Sequence, residues 1–187
     1  KLLYRHGGNS QVIGITGPPG AGKSTLVNQL VARYRADGLS IAVLAVDPSS
    51  PFSGGAVLGD RVRMNQHASD PKVFIRSMAA RGHLGGLAKA TGDVLIVLDA
   101  MKFDVVIVET VGVGQSELEI IRHAPTVLLL LTPESGDKVQ AIKAGVMEIG
   151  DLYIVNKAEH EDAGQMVIAL QEMILFYTDE NAWIPPV

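Results

Sequence analysis

Between an apolar run, Gln11–Thr16 (QVIGIT), and a helical period, the chain carries Gly17-Pro18-Pro19-Gly20-Ala21-Gly22-Lys23-Ser24, followed by Thr25. This fits G-x-x-x-x-G-K-[ST]. The glycines let backbone N–H groups curl around phosphate oxygens, Lys23 reaches the β- and γ-phosphates, and the Ser24 hydroxyl is placed to bind Mg²⁺. The helix behind the loop adds its dipole. That helix is read over Ser24–Ala36, with apolar residues at Leu26, Val27, Leu30 and Val31 and a stop at Gly38. An ordinary strand–turn–helix connection gives Lys and Ser no reason to follow the turn.

The rest of the chain repeats the alternation. Ile41–Val46, Val73–Arg76, Val105–Val108, Val127–Leu131 and Leu152–Val155 read as strands. Leu84–Ala100, which Gly92 can interrupt, Val139–Ile149 and Gln165–Tyr177 read as helices. Strands that are apolar without alternation are covered on both faces, and strand–helix alternation gives a parallel sheet with right-handed crossovers. The expected fold is α/β: a three-layer, doubly wound, mostly parallel sheet of the P-loop NTPase type, with ligands at the carboxyl ends of the strands. At 187 residues, one domain over 1–187 is expected.

Composition removes several function classes. A net charge of −4 argues against nucleic acid as a partner and against a polybasic membrane patch. Aromatics at 5% make a base-stacking single-strand binder a poor reading. The absence of cysteine excludes disulfides and thiolate metal sites, and the five histidines lack zinc spacing. No apolar run reaches the ~18 residues of a membrane span. The first residues carry no export signal, so a cytoplasmic setting is expected.

Polar residues just after the strands supply the remaining candidates. Asp47 can hold Mg²⁺ through water, though an Asp-Pro pair also starts turns. Asp60, in the glycine-rich loop from Ser49, is either a second Mg²⁺ contact or a solvated partner of Arg63. Glu109, three residues before Gly112 at a strand end, has the arrangement of a γ-phosphate sensor, with the Gly112 amide on the phosphate. Gln115 either orients a water or starts a helix. Asn156-Lys157-Ala158-Glu159 approximates N-K-x-D. Guanine offers N1–H and N2–H₂ on one edge, and a carboxylate accepts both, whereas adenine lacks that pair.

Together, GITGPPGAGKSTL (14–26), VLAVDPSSPFSGGAVLGDRVRM (43–64), FIRSMAARGHLGGLA (74–88), VVIVETVGVGQSELEI (105–120), TPESGDKVQAIKAGVMEIGD (132–151) and VNKAE (155–159) resemble the MeaB/ArgK/MMAA proteins. These belong to the SIMIBI branch of P-loop GTPases and carry an older label as a transport-system kinase for basic amino acids. The resemblance implies a G domain that binds GTP or GDP with Mg²⁺. It implies a role as a G-protein chaperone of adenosylcobalamin-dependent acyl-CoA mutases, typically methylmalonyl-CoA mutase, gating cofactor loading and protecting the enzyme. By position it places Gly17 to Thr25 on the phosphates, and Ser24, Asp47, Asp60 and Glu109 around Mg²⁺. Asn156, Lys157 and Glu159 fall on guanine, and Gly136–Lys143, with Lys138 and Lys143, on a switch toward the mutase. Lys23, Glu109 and Gln115 are the candidates for catalysis.

Three features depart from the family. Glu159 stands where the family has Asp. The family's Thr/Ser-Ser-Ala base-contacting loop, which follows a segment like Trp183-Ile184-Pro185-Pro186-Val187, is absent from these residues. The family's N-terminal helices and C-terminal dimerisation arm have no counterpart in these residues, so a homodimer would use the G domain face. Trp183 is expected to be a packing anchor. A P-loop kinase of a small metabolite and a non-catalytic GDP-binding module are the alternatives to the GTPase.

Overall fold

The computed structural model describes residues 7–47, 67, 69–79, 84–110, 118–119, 121–133, 149–178 and 182–187. In chain order the elements are β1 (Gln11–Thr16), α1 (Lys23–Ala36), β2 (Ile41–Asp47), β3 (Val73–Ala79), α2 (Leu84–Ala100), β4 (Val105–Thr110), β5 (Thr126–Leu131), β6 (Leu152–Val155) and α3 (Ala163–Tyr177). The six strands form one sheet in the order β3-β2-β4-β1-β5-β6, and every pairing is parallel. β1 therefore lies inside the sheet, between β4 and β5.

The alternation of side chains along each strand divides the core into two layers. Ile13, Ile15, Ile41, Val43, Val105 and Ile107 face α1 through Val27 and Val31. On the reverse face Leu95 and Leu98 of α2 cover Ala42, Leu44, Val46, Val106 and Val108. Beside them Met166, Leu170 and Ile174 of α3 cover Leu129, Leu131 and Tyr153. This is the three-layer arrangement expected for the P-loop NTPase class. Gly14 stands on the reverse face, where a Cβ would lie 2.9 Å from Ile121 Cδ1 and 3.1 Å from the Ala124 methyl, so a side chain there would displace Ile121.

Several elements differ from their sequence reading. β3 runs on to Ala79, because its ladder with β2 pairs Ser77 with Ala45 and Asp47 with Ala79 beyond the apolar run. α2 is continuous through Gly92, which instead leaves room for the His123 ring, 3.2 Å from where a Cβ would stand. Trp183 is not a packing anchor; it is 73% exposed, and Val187 is the end residue that packs against the α3 layer. The Tyr153 amide donates to the Pro186 carbonyl at 2.9 Å, which lays the chain end along β6. The helix read over 139–149 falls, except for its last residue, outside the described residues.

Carboxylates fasten the edge where the strands begin, remote from the phosphate loop. Asp99, at the end of α2, accepts the amides of Gly8, Asn9 and Ser10 ahead of β1. Asp104 accepts the amide and hydroxyl of Ser40, each at 2.7 Å. Burial alone would raise the Asp99 pKa, but the hydrogen bonds from Ser10 and Gly8 outweigh it and hold the carboxyl below its ordinary value. The Ser40 amide and hydroxyl lower that of Asp104. A depressed folded pKa contributes stability that is present above the unfolded value, about 3.9, and is lost as pH falls through the folded value. Thermal unfolding between pH 6 and 2.5 should therefore show the melting temperature declining below about pH 4. Asp99→Asn should lower it at pH 6 and make that decline shallower. Parallel curves for the two proteins would remove Asp99 from the account.

Candidate functional site

The loop after β1 is shaped by close approach. Gly17 has φ 151, and a Cβ there would run into the Leu130 carbonyl of β5. Gly22 has φ 94, and a Cβ there would meet the side-chain amide of Asn156. Both positions need glycine for conformation and for space. Pro19 and Gly20 are exposed at the loop rim, while Ala21 is buried beneath it. Gly22 caps α1 without a side-chain hydrogen bond, and the first turn carries no acidic residue. The helix dipole and the leading amides therefore face the loop with no carboxylate of that turn competing for them.

Lys23 is 6% exposed, and its Nζ donates to the carbonyls of Gly17 at 2.8 Å and Pro18 at 2.9 Å. The ammonium is thus held across the loop. Ser24 Oγ donates to Glu109 Oε1 at 2.6 Å. Glu109, 7% exposed, comes from the end of β4 on the α1 side of the sheet. The contact joins residues 85 apart in sequence. It gathers a hydroxyl and a carboxylate, two hard oxygen donors, beside the lysine. Mg²⁺ takes few protein ligands and keeps several waters, so this donor pair fits it. Among the described residues no group of three or more His, Asp or Glu side chains could hold a metal.

Asn156 follows β6, and its Nδ2 donates to the Ala21 carbonyl at 2.8 Å. Its own amide donates to Leu131 O at 2.8 Å. The residue read as a base contact therefore also fastens the phosphate loop from the far side. Lys157 adopts a left-handed conformation, φ 58, and accepts the His160 amide at 3.0 Å, which turns the chain back after β6. Glu159 is exposed in that turn, and Thr25 is exposed on α1. Asp47 closes β2, separated from β1 by β4. Asp60, Gly112, Gln115 and the 136–143 stretch lie outside the described residues. Behind the loop, on the sheet face away from Glu109, Thr110 Oγ1 donates to Thr16 Oγ1 at 3.0 Å. Sequence reading passed over this pair and over the Asn156–Ala21 bond. A threonine ending each of two apolar strands was the signal for the first, and the second had none.

The sequence model of the family described as "Methylmalonyl Co-A mutase-associated GTPase MeaB" matches residues 1–187. A Pyrococcus abyssi protein to which GTPase function is ascribed is 54% identical over 190 residues, a match covering 100% of this chain and 59% of that protein. GTPase ArgK of Escherichia coli is 44% identical over 162 residues, covering 87% of this chain and 49% of that protein. The chain thus spans between about half and three-fifths of the length of these relatives. A crystal structure of an LAO/AO transport system kinase superposes with a TM-score of 0.72 at 32% identity, covering 100% of this chain and 54% of the other.

Proposed function

Because the chain belongs to the MeaB family of methylmalonyl-CoA mutase-associated GTPases, we propose that it forms the nucleotide-handling part of a Mg²⁺-dependent GTPase, converting GTP and water to GDP and phosphate. The observation that carries this reading is the 2.6 Å contact between Ser24 and Glu109 beside the loop-held Lys23. In the proposal Gly17 to Thr25 wrap the phosphates. Ser24 and Glu109 hold Mg²⁺, with Asp47 and Asp60 acting through its waters, and the bound ion supplies positive charge to the phosphate oxygens. The Lys23 ammonium stabilises charge developing on the oxygen between the β- and γ-phosphorus as water attacks in line. Gly112 donates its amide to the γ-phosphate, and Gln115 orients the water. Asn156, Lys157 and Glu159 take the guanine edge, and the bond from Asn156 to Ala21 ties base recognition to the phosphate loop.

The family description supports association with methylmalonyl-CoA mutase. We propose further that the nucleotide state gates adenosylcobalamin loading and protection of that enzyme, and that the protein forms a homodimer. No described helix is long and apolar enough to cross a membrane; a cytoplasmic location is part of the proposal.

Titration of GDP against ADP in Mg²⁺ buffer tests the site. The expected result is a preference for GDP of about tenfold or more, roughly 1.4 kcal/mol. Equal affinities would remove guanine recognition and return the kinase and ATPase readings. GTP turnover should also rise on addition of an adenosylcobalamin-dependent mutase; an unchanged rate would end the chaperone proposal while leaving the hydrolase.

A further inference from the structure

We propose that the buried Thr16–Thr110 hydroxyl pair is a positioning clamp that sets the separation between the Lys23-bearing phosphate loop and the Mg²⁺ ligand Glu109. The proposal rests on the GTPase reading for its functional consequence. Both threonines are 0% exposed, at the carboxyl ends of neighbouring strands β1 and β4. Among the described residues the backbone ladder between these strands reaches Ile15 and Glu109. One residue beyond it, the 3.0 Å hydroxyl contact carries the alignment forward.

Each threonine adjoins one half of the site. Thr16 precedes Gly17, whose carbonyl accepts Lys23 Nζ at 2.8 Å. Thr110 follows Glu109, whose carboxylate accepts Ser24 Oγ at 2.6 Å. Alternation puts Glu109 on the α1 face and the threonine pair on the reverse face. The clamp therefore touches neither nucleotide nor metal and acts through the backbone of Gly17 and Glu109. By shape alone valine suits a buried parallel strand. Two hydroxyls bonded to one another add direction and a fixed spacing, which shape alone does not provide.

Thr110→Val, Thr16→Val, the double valine variant and Thr110→Ser test the clamp. Amide hydrogen exchange of residues 17–22 is measured on nucleotide-free protein, and GDP affinity is measured with Mg²⁺ and with EDTA. Thr110→Val should accelerate exchange in the loop and weaken GDP binding about tenfold in Mg²⁺ but less than about twofold in EDTA. Thr16→Val should do the same, the double variant should lose less than the sum of the two single losses, and Thr110→Ser should restore both readouts. The double valine variant, which leaves neither hydroxyl facing a methyl, keeps the test open if a single variant folds poorly. Unchanged exchange and binding in the valine variants, equal losses with and without metal, or failure of serine to rescue would each overturn the clamp. If the unsubstituted chain shows no guanine preference, the GTPase reading falls by itself, and the clamp is decided on loop exchange alone.

Discussion

Lys23→Met should lower single-turnover GTP hydrolysis by about 10²–10³-fold, the loss expected when one preplaced donor to developing charge is removed. The starting geometry explains the size. Lys23 Nζ is already fixed by the carbonyls of Gly17 and Pro18, and its stem is buried at the first turn of α1. In the proposed reading the loop carbonyls hold the ammonium in place before nucleotide arrives, so its charge needs no gathering from solvent to act on the bridging phosphate oxygen. Methionine keeps the apolar stem and drops the charge, so the melting temperature should move by only a few degrees while turnover collapses. Quenched-flow measurement of phosphate release, with circular dichroism melting alongside, separates the two effects. Turnover within tenfold of the unsubstituted chain would show that the ammonium is not used in the transition state.

The parts of this arrangement that sequence exposed are those governed by local chemistry. Gln11–Thr16 and Leu152–Val155 were read with their observed bounds because an apolar run ends there at a turn. Where backbone pairing continues beneath polar side chains, as at Ser77 in β3 or Glu109 and Thr110 in β4, the apolar signal stops before the strand does. Gly92 read as a point of interruption because glycine weakens an isolated helix, yet in the fold it is the space the His123 ring occupies. Trp183 read inward because tryptophan is usually covered, and the packing is done by Val187 instead. In the candidate site, Lys23, Ser24, Glu109 and Asn156 were singled out by residue type, and the structure brings them together around the loop after β1. The bonds that join them cross 85 and 135 residues of sequence, and strand order brings those ends together. Strand order depends on which covered faces meet, which no short window records.

Gly17→Ala should be among the most damaging single methyl additions to the chain, because two independent penalties coincide. At φ 151 an L side chain is strained by about 1–3 kcal/mol. The added Cβ also meets the Leu130 carbonyl, a backbone atom fixed in β5 that cannot rotate aside as a side chain can. Overpacking against fixed atoms costs about another 1–3 kcal/mol. At roughly 2–4 °C per kcal/mol for a domain of this size, the melting temperature should fall by about 5–20 °C. Function should suffer further, since the chain must move at the residue whose carbonyl holds Lys23. Gly20→Ala is the control: its φ is 80, but no atom of the described residues lies within 4 Å of the added atom. It carries the conformational penalty alone and should melt well above the Gly17 variant. Equal losses in the two variants would mean that backbone conformation, and not the approach of β5, fixes the start of the loop.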